Sequence, residues 1–382
     1  MKKTLLTICL VWMCFSLSAQ KIIDLSGKWS FSIDRQDNGE KEKWFSHTLN
    51  DCINLPGSMP EKLKGDEVTA KTQWTGSLYD SSYYYNPYME KYRKEGNIKF
   101  PFFLTPDKHY VGAAWYQKEV NIPADWKGER ILLFLERPHI ETTVWVNGQK
   151  TGMQNSLCVP HQYDITHYVR PGKCTITIRV DNRIKEINVG PDSHSITDQT
   201  QGNWNGIVGR ICLQTTPKTY FDDIQIYPEP EQKLARVKVV IKGTGTAKVK
   251  LSAESFNTDK KHIVPAIQQE IKLNKGVTET EMVLPMGNDM LLWDEFHPAL
   301  YKLKAEVTNG KKTEIKEIQF GMRRFEIKGK WFYVNGRKTQ LRGTVENCDF
   351  PLTGYAPMDV ESWERVFRIC RLSLIHILTL PT

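Results

Sequence analysis

Residues 115–152 read WYQKEVNIPADWKGERILLFLERPHIETTVWVNGQKTG. Short runs of aromatic and β-branched residues are punctuated here by Pro, Gly and Asn. Many alternate apolar with polar side chains, the period of a half-buried strand. Ala113–Ile122, Arg130–Glu136 and Thr142–Gly148 are three such runs. Asn147-Gly148 closes the third, and because both residues tolerate positive φ the pair predicts a type I′ hairpin turn. No helical period appears. The stretch reads as all-β.

The same texture extends on both sides. Lys28–Ile33 and Cys174–Asn182 are further strand-like runs, and from Ile22 to about Pro228 nothing interrupts them with a helix. Such a series predicts a sandwich, most simply a jelly roll. Pro60–Gly112 breaks the rhythm with YDSSYYYNPYMEKY and FPFFLTPDKHY, too long for a connector, and reads as a functional insertion. A second β segment runs from about Gln232 to Gln319 after the Pro- and Glu-rich YPEPEQK (Tyr227–Lys233). Its length and strand spacing predict an immunoglobulin-like sandwich, without the Cys…Trp…Cys core of antibody domains.

Beyond Gly321 the pattern changes. RFEIKGKWFYVNGRKTQLRGT predicts a hairpin turning at Asn335-Gly336, then a strand ending at Arg342-Gly343. In PMDVESWERVFRIC, Asp359 suits an N-cap, Glu361 lies in the first turn, and Val360, Trp363, Val366, Phe367 and Cys370 fall on one helical face. A strand, a loop and a helix make one β/α unit, which cannot bury its own faces. An exposed apolar patch on that helix is the expected consequence. LSLIHILTLPT, from Leu372, carries no acid, glycine or loop signal and reads as foreign to what precedes it.

The 382 residues allow two or three domains, and 40% hydrophobic with 25% charged residues is an ordinary globular balance. Aromatics at 11% supply strand cores and also suit sugar binding, because ring faces stack on pyranose C–H faces. The net charge of +8 is spread without a polybasic run, so nucleic-acid binding has no support. MKKTLLTICLVWMCFSLSAQ has the charged start, short apolar run and small residues of a secretory signal cut near Ala19, too short to span a membrane. An exported protein, periplasmic or secreted, is the expectation. Cys52, Cys158, Cys174, Cys212, Cys348 and Cys370 remain in the mature chain without C-x-x-C spacing, which argues against zinc. Most are expected to be buried small apolar residues. No cofactor motif is present, and the oligomeric state cannot be read from the sequence.

The order of parts resembles glycoside hydrolase family 2. The resemblance rests on Leu25–Asp34, Trp115–Gly152, Tyr163–Asn182, GNWNGIVGRICL (Gly202–Leu213), LWDEFHPALYKL (Leu292–Leu303), Phe320–Gly336 and LRGT (Leu341–Thr344), seven marks in the family's order. It implies a jelly-roll sugar-binding domain, an immunoglobulin-like domain and then a catalytic (β/α)₈ barrel. Expected limits are 1–19 for the signal, 20–229, 230–321 and 322–371 for the three parts, and 372–382 for a non-native tail. In the family the GNWN segment approaches the barrel mouth. Gln201, Asn203, Trp204 and Asn205, with His194 upstream, are therefore candidate carbohydrate contacts. Arg342, at the C-terminal end of the first barrel strand, and Glu346 and Asn347 in the loop after it complete the set. Several members carry a His near Asn347; this chain does not, which leaves the sugar open. The catalytic pair of glutamates belongs to later barrel strands, so the chain reads as the front part of an exo-acting glycosidase without its own catalytic carboxylates. The alternative is a non-catalytic carbohydrate-binding β-sandwich protein.

Overall fold

The computed structural model describes residues 21–69, 71–75, 85–99, 106–185, 202–341 and 350–372. The architecture is mostly β. It divides into two compact units: one comprises Lys21–Thr216 with the chain from Gln340 onward, the other Pro217–Thr339.

In the first unit two antiparallel sheets face each other across one core. The longer runs in the order Gln149–Asn155, Glu141–Val146, Gly172–Asp181, Ala113–Ile122, Gly27–Asp34, Asp51–Leu55. The other runs Ile22–Asp24, Gly206–Thr216, Arg130–Pro138, His161–Asp164. Trp29, Phe31, Tyr116, Leu133, Leu135, Val144, Ile176, Ile178 and Leu213 fill the space between them. Period 2 puts these side chains on one face of each strand. The predicted turn forms as read: Asn147 and Gly148 have φ of 50° and 76° between paired strands.

The alternation predicts half-buried strands, and here the structure differs. Glu141–Val146 is buried at every position. Its outward side is covered too, by an aromatic cluster in which Trp115 stacks on Trp145 at 4.9 Å and Phe45 stacks on Trp145 at 5.2 Å. Beside it lies a charge cluster. Arg179 donates to Asp37 at 2.7 Å and to the fully buried Asp181 at 3.0 Å. Arg183 donates to the same two carboxylates, while Lys185 bridges Asp181 and Glu141 at 2.8 and 3.0 Å. Three cations meet three carboxylates.

The insertion is closed by a two-strand stem, Asp66–Glu67 paired with Lys108–His109. Within it, the described 3-10 turn Pro87–Tyr92 is capped by Asn86 Oδ1, which accepts from the Tyr88 N–H at 3.0 Å.

The second unit is built on two 23-residue strands, Leu234–Phe256 and Ile263–Pro285, paired along their length. The runs ARVKVVIKG (Ala235–Gly243) and AKVKLSAES (Ala247–Ser255) lie in one strand, interrupted by register shifts at Gly243/Gly245 and Leu251/Ala253. Bulges bend strands, and both halves contribute to one core, with Val237, Val239 and Leu284 beside Val249, Leu303 and Val307. Tyr220–Glu229 pairs with Leu234–Lys242 and so belongs to this unit, whereas the sequence limit at 229 leaves it in the first. The hairpin Trp331–Val334/Arg337–Thr339 turns at Asn335-Gly336, with φ of 50° and 77°, and it too clusters with this unit.

Of the five described cysteines, all free, only Cys174 and Cys212 are buried; Cys52 and Cys158 are exposed and Cys370 is intermediate. The expectation of burial is thus corrected for three of them. Cys52 lies on the outward side of an edge strand, where the buried positions are Ile53 and Leu55. The helix Val360–Leu372 forms, with Asp359 accepting from the Ser362 N–H at 2.7 Å. Val360 and Phe367 are exposed, while Trp363 is partly covered, its indole donating to Pro357 O at 2.9 Å. Among the described residues no helix is long and apolar enough to cross a membrane.

Candidate functional site

Residues 202–205 lead into the strand Gly206–Thr216 of the first unit. Three asparagines fasten this segment. Asn182, at the end of Gly172–Asp181, donates to Tyr110 O at 2.8 Å and to Asn203 Oδ1 at 3.0 Å, and accepts from the Gly112 N–H at 2.8 Å. Asn203 donates to Asn182 O and to Thr75 Oγ1, both at 3.0 Å, tying the start of the insertion to the same knot. Asn205 donates to Gly112 O and Val180 O, each at 3.0 Å, and accepts from the fully buried Tyr116 hydroxyl at 2.8 Å. A side-chain amide suits a corner where backbone donors and acceptors have left their ladder, because it carries both kinds of group. Burial holds the Tyr116 phenol well above its usual range.

Trp204 lies between these asparagines and is 2% exposed. One neighbour is His139, whose ring is stacked at 4.6 Å and 14°. Burial, with the charge of Arg137, pushes the His139 pKa down to about 3, partly opposed by a hydrogen bond with Asn203. His139 is therefore neutral near pH 7. The other neighbour is Tyr355, tilted at 5.5 Å. A Cβ added to Gly354 would lie 2.7 Å from Trp204 Cβ, so only glycine allows this approach, and its φ of +82° favours glycine as well.

Polar contacts complete the docking of residues 353–355. The Ser58 hydroxyl donates to Thr353 O, and the Tyr355 hydroxyl donates to Glu61 Oε2 at 2.8 Å. Glu61 also takes Lys62 Nζ at 2.6 Å. Burial raises its pKa, but the Lys62 and Tyr355 hydrogen bonds outweigh that and hold the carboxyl below its usual range.

Of the sequence candidates, Asn203, Trp204 and Asn205 are brought together; His194, Gln201, Arg342, Glu346 and Asn347 lie outside the described residues. The three are buried, and both Asn205 donor positions and its acceptor are engaged within the protein. What they do chemically is hold a loop and its docked neighbour in place. Sequence reasoning missed Asn182, His139, Ser58, Glu61 and Tyr355. Only Asn182 carried a signal, as the asparagine ending a strand-like run. Among the described residues no group of three or more His, Cys, Asp or Glu could hold a metal ion.

Asn205→Ala is expected to destabilise the first unit by about 1–3 kcal/mol, because the buried Tyr116 hydroxyl loses its acceptor. Adding Tyr116→Phe removes that orphan, so the double variant should lose less than the sum of the two single changes. Urea unfolding of the four proteins measures this, and strict additivity would contradict it.

Residues 22–217 match the description "Glycosyl hydrolases family 2, sugar binding domain" and residues 219–323 match "Glycosyl hydrolases family 2". The chain belongs to glycosyl hydrolase family 2. Its family 2 relatives include the β-glucuronidase of Paenibacillus borealis, 23% identical over 355 residues, covering 88% of this chain and 51% of that protein. The β-galactosidase large subunit of Latilactobacillus sakei is 23% identical over 350 residues, covering 89% and 52%. Among solved structures, the β-glucuronidase of Ruminococcus gnavus superposes with a TM-score of 0.65 at 19% identity, covering 93% of this chain and 54% of that one; at that identity the likeness speaks for the fold. The chain spans about half the length of the relatives it matches. The junction between the two family 2 matches coincides with the division between the two compact units at Thr216/Pro217.

Proposed function

We propose that this chain is the N-terminal part of an exported, exo-acting glycoside hydrolase that cleaves terminal O-glycosidic bonds, and that this part alone is inactive. In this reading the first unit is a jelly-roll sugar-binding domain, the second an immunoglobulin-like domain, and residues 322–371 the opening of a (β/α)₈ barrel. The observation that carries the reading is the pair of consecutive family matches, 22–217 and 219–323, in one chain.

Retaining hydrolysis needs two carboxyl groups about 5–5.5 Å apart across the scissile bond. Asp359 is engaged as a helix cap by the Ser362 N–H and hydroxyl, at 2.7 and 2.9 Å, a structural duty that leaves it poorly suited to attack a sugar. The acids that do the chemistry belong to the missing part of the barrel. Arg342, Glu346 and Asn347, with His194 and Gln201, contact the terminal sugar; Asn203 and Asn205 fasten their own segment to Asn182, Thr75, Gly112 and Val180. The exposed Val360 and Phe367 favour a helix made to be covered over a stand-alone binding module.

Two measurements test this. The purified chain should show no turnover of nitrophenyl β-galactoside, β-glucuronide or β-mannoside above the uncatalysed rate. Genomic sequence across the codons for Arg371 and Leu372 should continue into a longer reading frame whose product hydrolyses one of them. Turnover by the chain itself, or a genuine stop after Thr382, refutes the proposal.

A further inference from the structure

In the second unit the strand Ile263–Pro285 pairs with Leu234–Phe256 on one side, and among the described residues its other side pairs with nothing. Such an edge presents a row of unpaired N–H and C=O groups, a template for another strand. The register shifts at Gly243/Gly245 and Leu251/Ala253 divide it into two stretches. Ile267–Leu273 pairs without interruption with Gly245–Leu251, and a second stretch runs from Gly276 to Pro285. Pro265, which has no N–H to offer, lies outside the first.

The two stretches differ in charge. In the second, Glu279 and Glu281 are exposed and already taken, by Lys238 at 2.6 Å and Arg236 at 3.3 Å on the neighbouring strand. That stretch holds no cation of its own. In the first, Ile271 and Leu273 are buried, while Glu270 and Lys272 are exposed. Lys248 stands across the ladder from Glu270, but among the described residues neither Glu270 nor Lys272 makes an ion pair.

A second copy extends this sheet about a two-fold axis perpendicular to it, which runs the two edges antiparallel and keeps both cores on one side. Side chains directly opposite then share a face. Centred on Glu270 or on Lys272, the pairing sets like charges against each other. Centred on Gln269, it sets Glu270 against Gln268, with nothing gained. Centred on Ile271, it sets Glu270 against Lys272 of the second copy, Lys272 against Glu270 of the second copy, and the amides Gln268 and Asn274 against each other.

We infer that Ile267–Leu273 is a docking edge for a second copy of this chain, joined antiparallel about Ile271. Sheet extension supplies main-chain hydrogen bonds, and the two Glu270–Lys272 pairs select the register. The contact is small beside the ~1,600 Å² of a standard interface, so the dimer is in equilibrium with monomer. This association involves the second unit alone and does not rest on the glycosidase reading.

Sedimentation velocity of the purified chain from about 1 µM to about 100 µM tests it. A dimer that grows with concentration is expected, weaker at about 0.5 M than at about 0.05 M salt, because exposed ion pairs are screened. Glu270→Lys alone, or Lys272→Glu alone, should weaken dimerisation about tenfold, since each sets like charges opposite at two places. The double variant Glu270→Lys/Lys272→Glu restores opposite charges in the same register and should dimerise within about threefold of the unaltered chain. Both positions are exposed, so unfolding midpoints should move little. A monomer throughout, a dimer indifferent to the single reversals, or a double variant no better than either single one would overturn the inference. The second of these would place the contact on another surface, such as the helix bearing the exposed Val360 and Phe367. None of these outcomes bears on whether the longer protein is a hydrolase.

Discussion

Asp181→Ala lowers the stability of the first unit by roughly 3–5 kcal/mol, the cost of removing one partner from a buried ion cluster. Asp181 is fully buried and accepts from Arg179, Arg183 and Lys185. Without it Arg179, itself 8% exposed, keeps only Asp37 and Glu141 and shares them with two other cations. The side chains of Arg183 and Lys185 are more than a third exposed, so water recovers part of their loss and Arg179 dominates the effect. Asp181→Asn keeps the shape and isolates the charge.

The same residue sets an acid limit. Burial raises the Asp181 pKa, but the hydrogen bonds from Arg183 and Lys185 and the charge of Arg179 prevail and hold it well below its ordinary 3.8. A carboxyl depressed in the folded state stabilises fully above its unfolded pKa and loses that contribution as pH falls through the folded value. Wild-type stability should therefore fall steeply below about pH 4, and Asp181→Asn should show a flatter acid limb by one proton. Urea midpoints at a series of pH values report both effects. Parallel limbs in the two proteins would mean that the cluster does not stabilise through Asp181.

Trp204→Ala is the second large effect, roughly 3–5 kcal/mol for truncating a buried tryptophan. Its location matters more than its size. Trp204 is the surface on which His139 stacks on one side and Gly354 and Tyr355 rest on the other. Gly354→Ala attacks the second contact alone. It combines a left-handed backbone cost of about 1–2 kcal/mol with overpacking of about 1–3 kcal/mol, because its new carbon meets Trp204 at 2.7 Å. Hydrogen exchange separates the two variants. Gly354→Ala should speed exchange at residues 353–355, whose Gly354 N–H donates to Phe350 O at 2.6 Å, and leave the strands unchanged. Trp204→Ala should speed exchange there and at Ile207 and Val208 too. If neither variant alters residues 353–355, the docking described here does not hold them.

Much of this protein is legible in its residues. The period-2 runs, the two Asn-Gly turns, the Asp359 cap and the order of two β units and a helix all follow from local chemistry: positive φ at Asn and Gly, alternation along a strand, an aspartate before a helical stripe. The aspartate and asparagine networks do not. Nothing in TTVWV announces that Glu141–Val146 is covered on both faces, because the covering residues, Phe45 and Trp115 among them, come from elsewhere in the chain. Nor does alternation reveal that two runs form one bent strand, since a bulge shifts register without breaking the pattern. GNWN marks a loop rich in amides and an aromatic, which equally suits gripping a sugar and gripping the protein. Tertiary structure made Asn205 the second, by placing Gly112 and Val180 on its two N–H donors and the Tyr116 hydroxyl on its carbonyl oxygen. Strands and turns are properties of neighbouring residues, so the sequence alone determines them; which side chain meets which is set by contacts between distant segments, and only the folded chain decides it.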